Sequence, residues 1–269
     1  MIRSLATLAI ALAPLSARAQ DPQPLYTIEG RFDAFTTDEL GNVYALRGDE
    51  LELYDRKGQS WLRNSVKTFG RIQVIDAFYS MKPMVFSPEQ GQLAVLDNTL
   101  SVQGSVMNLP RSGFPQVVLV CMSVQNHFWF FDERDLALVR VDPQLRPVAH
   151  TGRLDQQLGF TPKPIAMQEH EGWLYVNDPK QGILVFDLFG TYARTIPITG
   201  AKSFEVRGST LVHFAGGELG IYDMRSFKAT VLPLPEGARD DALGVRIERG
   251  LLYLHRPHRI EVVPLPREP

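Results

Sequence analysis

The sequence predicts an all-β fold, a six-bladed β-propeller with four antiparallel strands to each blade. Two observations carry that expectation. An apolar strand core recurs six times, as Val43-Tyr44-Ala45-Leu46, Leu93-Ala94-Val95-Leu96, Phe128-Trp129-Phe130-Phe131, Leu174-Tyr175-Val176-Asn177, Leu211-Val212-His213-Phe214 and Leu252-Tyr253-Leu254-His255. The mean interval between cores is about 42 residues, inside the range of about 40 to 45 that several short strands per unit require. Each core also sits in the same order of signals. A turn precedes it, often with glycine (Gly41, Gly91, Gly172, Gly208, Gly250), and a third apolar strand and an acidic turn follow it. Those acidic turns are Asp55-Arg56-Lys57-Gly58, Asp142-Pro143, Asp187-Leu188-Phe189-Gly190 and Asp223-Met224-Arg225. Asp opening a turn and Gly supplying a positive φ are what a tight strand connection demands.

Residues 1–19 read as a cleaved export signal. Arg3 gives a positive start, residues 5–12 are apolar but too few to span a bilayer, and Ala17-Arg18-Ala19 is an A-x-A cleavage site leaving Gln20 first. Residues 20–269 are then expected to form one propeller domain, periplasmic or secreted and monomeric. The sole cysteine, Cys121, is not at the new N-terminus, so no lipid anchor is expected; its apolar surroundings make it a structural thiol. Loss of Arg3 and Arg18 moves the formal net charge from −2 to about −4, a balance that offers no basic field for nucleic acid or anionic lipid. No later stretch is apolar enough to span a membrane.

Ring closure follows from counting strands. The last unit supplies strands near residues 242–249, 251–255 and 259–264 and lacks an outer one. Residues 24–29 form a strand with no partner in the first unit, and are expected to complete the last blade and seal the sheet edge.

The best internal match aligns Lys82-Pro83-Met84 through Gly91 and Leu93 to Asp97 with Lys163-Pro164-Ile165 through Gly172 and Leu174 to Asp178. Functional loops are expected on the face where the chain enters each inner strand, here called the upper face. The alignment places Arg31, Lys82, Lys163 and Lys202 near the channel mouth on that face, with Asp240 and Asp241 at the matching place in the last unit. Loops between second and third strands would add Asp97, Asp132 and Asp178 at identical offsets, with Asp49 and Glu218 nearby. Such cations and carboxylates either hold an anionic ligand or an acidic partner, or brace neighbouring blades. The aspartates also suit turn-opening roles. The longest interval, from Val43 to Leu93, exceeds the mean by about eight residues and points to an insertion at 68–80. Its apolar side chains, Phe78 and Tyr79 among them, suit either a partner anchor or a plug over the channel.

The pattern Gly-Asn-Val-Tyr-Ala-Leu (41–46) followed by Glu-Leu-Tyr-Asp-Arg-Lys-Gly (52–58) resembles the blades of NHL-type and TolB-like six-bladed propellers. Ile75-Asp76-Ala77-Phe78-Tyr79-Ser80-Met81-Lys82-Pro83 with Leu96-Asp97-Asn98-Thr99-Leu100 is similar to exported proteins of the Bacteroidetes. The resemblance implies fold and habitat and assigns no activity. Some enzymes of this fold class hold Ca²⁺ in the channel with inward Asp, Asn and Glu, which implies Asp76, Asp97, Asn98, Asp132, Asn177, Asp178 and Asp240 as the candidates for a metal-dependent hydrolase or lactonase.

No nucleophile elbow, zinc helix or phosphate loop is present. The His255/His258 pair and Glu169-His170-Glu171 read as structural or solvated, and Trp61 and Trp173 as aromatics wedged between blades. The expectation is therefore a non-enzymatic binding or scaffold propeller of the cell envelope, without cofactor, that binds a protein partner through the face carrying Phe78, Tyr79, Lys82 and Lys163.

Overall fold

A strand packed on both faces reads as a continuous apolar run rather than an alternating one, and the core explains why these strands do. Successive side chains of Phe128-Trp129-Phe130-Phe131 point to opposite sides of their sheet. Phe128 and Phe130 enter a cluster with Met84, Phe86 and Leu93, whereas Trp129 and Phe131 enter another with Leu174, Val176, Leu184 and Phe186. The same holds around the ring: six apolar clusters each join two consecutive sheets. Each fully buried aliphatic or aromatic side chain there contributes ~1.5–3 kcal/mol.

The computed structural model of the protein describes residues 23–65, 69–77, 82–235 and 237–265; the expected export signal, residues 1–19, lies outside them. Six four-stranded antiparallel sheets form the blades. Blade 1 runs from its inner strand Ala34–Thr37 through Val43–Arg47 and Glu50–Tyr54 to Ser60–Ser65. Blade 3 comprises Val117–Ser123, His127–Asp132, Ala137–Val141 and Pro147–His150. Blade 4 comprises Ala166–His170, Trp173–Asp178, Gly182–Asp187 and Tyr192–Ile196. Blade 5 comprises Ala201–Arg207, Thr210–Ala215, Glu218–Asp223 and Lys228–Leu232.

Blade 6 has Gly244–Glu248, Leu251–Arg256 and Arg259–Pro264, and its outer strand is the N-terminal Tyr26–Glu29. Tyr26 pairs with Val262 and Glu29 with Arg259, so the ring closes as the strand count requires. Ile28 seals the seam between blades 6 and 1 in a cluster with Phe32, Val43, Tyr253 and Ile260.

Blade 2 departs from the sequence expectation by one strand. Its inner strand is the short Val74–Asp76, so Met84–Ser87 is the second strand and Gln92–Val95 the third, followed by Met107–Asn108. The recurring core of this blade is therefore Met84-Val85-Phe86, and Leu93-Ala94-Val95 belongs to the next strand outward. With Met84 in register, the interval from Val43 is close to the mean period, and residues 68–80 hold the inner strand rather than an insertion.

Polar side chains clip the inner strands to one another at their far ends. Asp76 Oδ2 accepts the Met122 N–H (2.9 Å), Glu169 Oε1 the Val124 N–H (3.1 Å) and Gln168 Oε1 the Val206 N–H (2.8 Å). Glu205 Oε2 accepts the Ile247 N–H (3.4 Å), and Arg246 donates to Thr37 Oγ1 (3.2 Å). These contacts fix a common direction for the inner strands from blade to blade. The connections from first to second and from third to fourth strands therefore share one face, the lower. Those from second to third, and from one blade to the next, share the upper. Glu169, expected in a solvated turn, is thus part of the frame, and it also accepts the Trp129 indole N–H (2.7 Å).

Candidate functional site

The inner strands enclose a central cavity of about 320 Å³ with residues from every blade on its wall. Phe35, Ile75, Leu119, Met167 and Phe204 supply the apolar part of that wall, and Thr36, Gln73, Asp76, Gln168 and Arg246 supply a comparable polar part, of which Asp76, Gln168 and Arg246 bond to neighbouring blades. Lys202, at the start of the blade 5 inner strand, also lines the cavity, and its ammonium lies 5.9 Å from the Phe214 ring centroid. Lys163 is exposed on the loop that leads into the blade 4 inner strand. Among the described residues neither ammonium has an ion-pair partner. Both lie at the upper face, as the sequence places them.

Of the carboxylates expected beside them, Asp178 and Asp132 are held by backbone N–H groups and Asp241 pairs with Arg256, whereas Glu218 and Asp240 are exposed. Asp178 ends the second strand of blade 4 and is buried; its Oδ1 accepts the Lys180 and Gln181 N–H groups, and its Oδ2 accepts the backbone N–H of Lys163 (2.7 Å). Asp132 holds the corresponding turn of blade 3 through the Arg134 and Asp135 N–H groups (2.9 and 3.3 Å). These two carboxylates open turns, and the upper face presents Lys163 on its rim and Lys202 on the cavity wall.

The strand slip in blade 2 moves two expected site residues to the other face. Lys82 precedes the second strand of its blade rather than an inner strand, and its ammonium donates to Asn126 Oδ1 (3.3 Å) on the lower face. Asp97 opens the turn from third to fourth strand, where Oδ1 accepts from the Thr99 N–H (2.8 Å) and the Ser101 N–H (3.0 Å). Hydrogen bonds from Thr99, its hydroxyl first, hold this carboxyl below the usual range. Asp97 thus joins Asp55, Asp142, Asp187 and Asp223, each of which caps the same turn of its own blade. Phe78 and Tyr79 lie outside the described residues, and Ala77 and Lys82 on either side of them are at the lower face.

The donor set implied for Ca²⁺ does not converge. Asp97 is on the lower face, Asp132 and Asp178 are committed to turns, and Asp76 accepts the Met122 N–H. Asn177 donates to the Ala201 carbonyl (3.0 Å). Among the described residues no group of three or more His, Cys, Asp or Glu side chains could hold a metal ion. His255 and His258 are equally separate: the first contacts the Phe32 carbonyl (3.1 Å) and the second accepts from Arg31 (3.1 Å). Cys121 is buried, and burial pushes its thiol well above the ordinary range.

Two features escape a reading of the sequence. One is a charged cluster between blades 5 and 6, where Glu205 meets Arg207 (2.5 Å) and Arg246 (3.1 Å), and Arg207 meets Glu248. Burial holds the Glu248 carboxyl above its usual range despite Arg207. The other corrects the expectation for tryptophan: Trp61 and Trp173 are 64% and 42% exposed and lie at the lower face rather than between blades.

The architecture is that of the six-bladed propellers. No family profile and no curated protein matches the sequence. Among solved structures, the chain is similar to a streptogramin B lyase, with a TM-score of 0.59 at 12% identity over 86% of this chain and 78% of the other. The Neurospora crassa Pan2 WD40 domain gives 0.67 at 8% identity, over 95% and 99%. The extracellular domain of the putative one-component system BT4673 from B. thetaiotaomicron gives 0.58 at 11%, over 89% of this chain and 34% of that one. At these identities the likeness shows the fold alone.

Proposed function

We propose that this protein is an exported, non-enzymatic binding propeller of the cell envelope, with NHL-type or TolB-like blades, that engages a protein partner through its upper face. One observation carries the reading: Lys163 and Lys202 lie at the upper face without carboxylate partners among the described residues, Lys202 on the cavity wall, while Asp132 and Asp178 of that face are drawn into backbone hydrogen bonds. Two ammonium groups without ion-pair partners beside a cavity of mixed polar and apolar lining suit an acidic segment carrying an apolar side chain, with charge steering the encounter and the apolar part of the wall supplying burial. No cofactor is required for that role. The closed ring leaves only short outer strands as free sheet edges, a form that suits a monomer.

The test is cross-linking and co-purification of the tagged protein from its own cell envelope, beside Lys163→Glu with Lys202→Glu. A stoichiometric partner that is lost in the double variant, at unchanged Tm, supports the reading. Equal recovery by both proteins, or recovery of background alone, refutes it.

A further inference from the structure

Exposed aromatic side chains are not spread evenly over the ring. Four are exposed among the described residues, Trp61 (64%), Trp173 (42%), Phe189 (79%) and Phe227 (64%), and all four lie at the lower face. Phe189 and Phe227 stand on the turns between third and fourth strands of blades 4 and 5, and Trp173 begins the second strand of blade 4. Trp61 is the extra residue of a bulge, since Leu53 pairs with Leu62 and Tyr54 with Ser60. A bulge turns its side chain out of the ladder. Leu40, on the first turn of blade 1, adds an apolar tip that is 47% exposed. At the upper face the exposed apolar groups are aliphatic, Ile165 and Leu243.

Cations accompany two of these tips, whereas Leu40 and Trp173 stand beside exposed Glu39 and Glu171. The turn just before Trp61 carries exposed Arg56 and Lys57, and the one bearing Phe227 carries exposed Arg225 and Lys228. The acid in each turn, Asp55 or Asp223, is folded back onto backbone N–H groups. Solvent therefore meets an aromatic flanked by two basic groups, although the chain as a whole is slightly acidic.

We propose that the lower face is a membrane-docking surface that rests on a bilayer containing anionic headgroups. Tips spread over blades 1, 4 and 5 suit a flat, deformable surface, whereas a protein partner would need a contiguous, fully desolvated patch. Aromatics at headgroup depth beside Lys and Arg are the combination that holds a peripheral protein at the interface. The upper face, with Lys163 and Lys202, then points away from the bilayer.

The test uses the chain from Gln20 onward, which carries every strand of the ring, sedimented with vesicles of phosphatidylcholine alone or of phosphatidylethanolamine with phosphatidylglycerol. Binding to the second is expected to exceed binding to the first and to weaken with salt. The triple variant Trp61→Ser, Phe189→Ser, Phe227→Ser is expected to lose about tenfold or more in partitioning at unchanged Tm. A second readout needs no variant: bromine on the lipid acyl chains should quench exposed Trp61 and Trp173 and spare Trp129, which is 0% exposed. No sedimentation with either vesicle, equal binding to both, equal binding by the triple variant, or no quenching overturns the proposal. Lys163→Glu with Lys202→Glu should abolish partner capture yet leave vesicle binding intact, so failure of one face is distinct from failure of the other.

Discussion

Ile28→Ala tests the seam that closes the ring. Ile28 is 2% exposed, lies opposite Ile260, and fills the junction of blades 6 and 1 beside Phe32, Val43 and Tyr253. Truncation removes its buried carbons and leaves a cavity whose walls belong to two different blades and cannot easily collapse. Such substitutions cost ~2–5 kcal/mol, and a central value of about 3 kcal/mol applies here. For a domain of this size each kcal/mol moves Tm by about 2–4 °C, so the expected fall is about 6–12 °C. Leu25→Ala is the matched control, one residue before the same strand but 58% exposed, and should stay within about 0.5 kcal/mol. Urea denaturation with an unchanged m-value would assign the loss to stability rather than to a change in cooperativity. If Ile28→Ala falls no further than Leu25→Ala, the N-terminal strand does not close the ring. Deleting the strand altogether is expected to cause aggregation, because it strips the partner from Arg259–Pro264 and opens an edge backed by Ile260 and Val262.

Glu205→Ala should cost ~1.5–3 kcal/mol, since it removes charged hydrogen bonds to the partly buried Arg207 and Arg246, and urea melts beside Glu205→Gln will measure it; equal stability of wild type and Glu205→Ala would refute a bracing role. Stability should fall below about pH 4, because the folded-state carboxyls of Asp97, Asp142 and Asp223 are depressed by hydrogen bonds from Thr99, Arg146 and Ser226. Their contribution is complete above the unfolded value and is lost as pH falls through the lower folded ones. Asp142→Asn should flatten that dependence in denaturation curves taken between about pH 2 and pH 6. Thermal melts with about 1 mM Ca²⁺ or with EDTA should coincide, and a rise in Tm with Ca²⁺ would restore the metal-dependent reading. Cys121 should react with a thiol reagent only as fast as the ring opens, so rapid labelling of native protein would contradict its burial.

Five of the six blades were legible because their second strands, buried on both faces, are uninterrupted apolar runs bracketed by glycine and aspartate. Blade 2 was not, for a physical reason. Its inner strand Val74–Asp76 is only three residues long, and its third strand, Leu93-Ala94-Val95, is as apolar as a second strand elsewhere. Lys-Pro and Gly happen to flank Met84–Ser87 as they flank the inner strand of blade 4, so the alignment locked one strand out of place. The face assignment of Lys82 and Asp97 inherited the slip. Asp97 carried the correcting signal: Asp-x-Thr-x-Ser offers acceptor and amides at the spacing of Asp55, Asp142 and Asp187, the turn of the third strand rather than the second. Phe189 and Phe227 were legible as exposed once those turns were recognised, because residues at the tip of a tight turn have no neighbouring blade to pack against. Lys163 and Lys202 needed no correction, since the strands that follow them were assigned properly.

The two faces differ because the frame uses them differently. Carboxylate and amide side chains at the lower ends of the inner strands, Asp76, Gln168, Glu169 and Glu205, tie each blade to a neighbour, so polar chemistry at that end of the channel is spent on the ring itself. What remains available on the lower face lies farther out, where Phe189 and Phe227 stand on turn tips and Trp61 is turned outward by its bulge. At the upper end Asp132 and Asp178 are retracted into turns, while Lys163 on the rim and Lys202 on the cavity wall have no ion-pair partner among the described residues. A ring built this way has a chemically distinct centre on one side and a distinct rim on the other. Substitutions that disturb recognition without unfolding the protein should therefore segregate, central on the upper face and peripheral on the lower. A scan that instead found lower-face central residues dispensable for stability would contradict the division, because Asp76, Gln168 and Glu205 hold the blades in register.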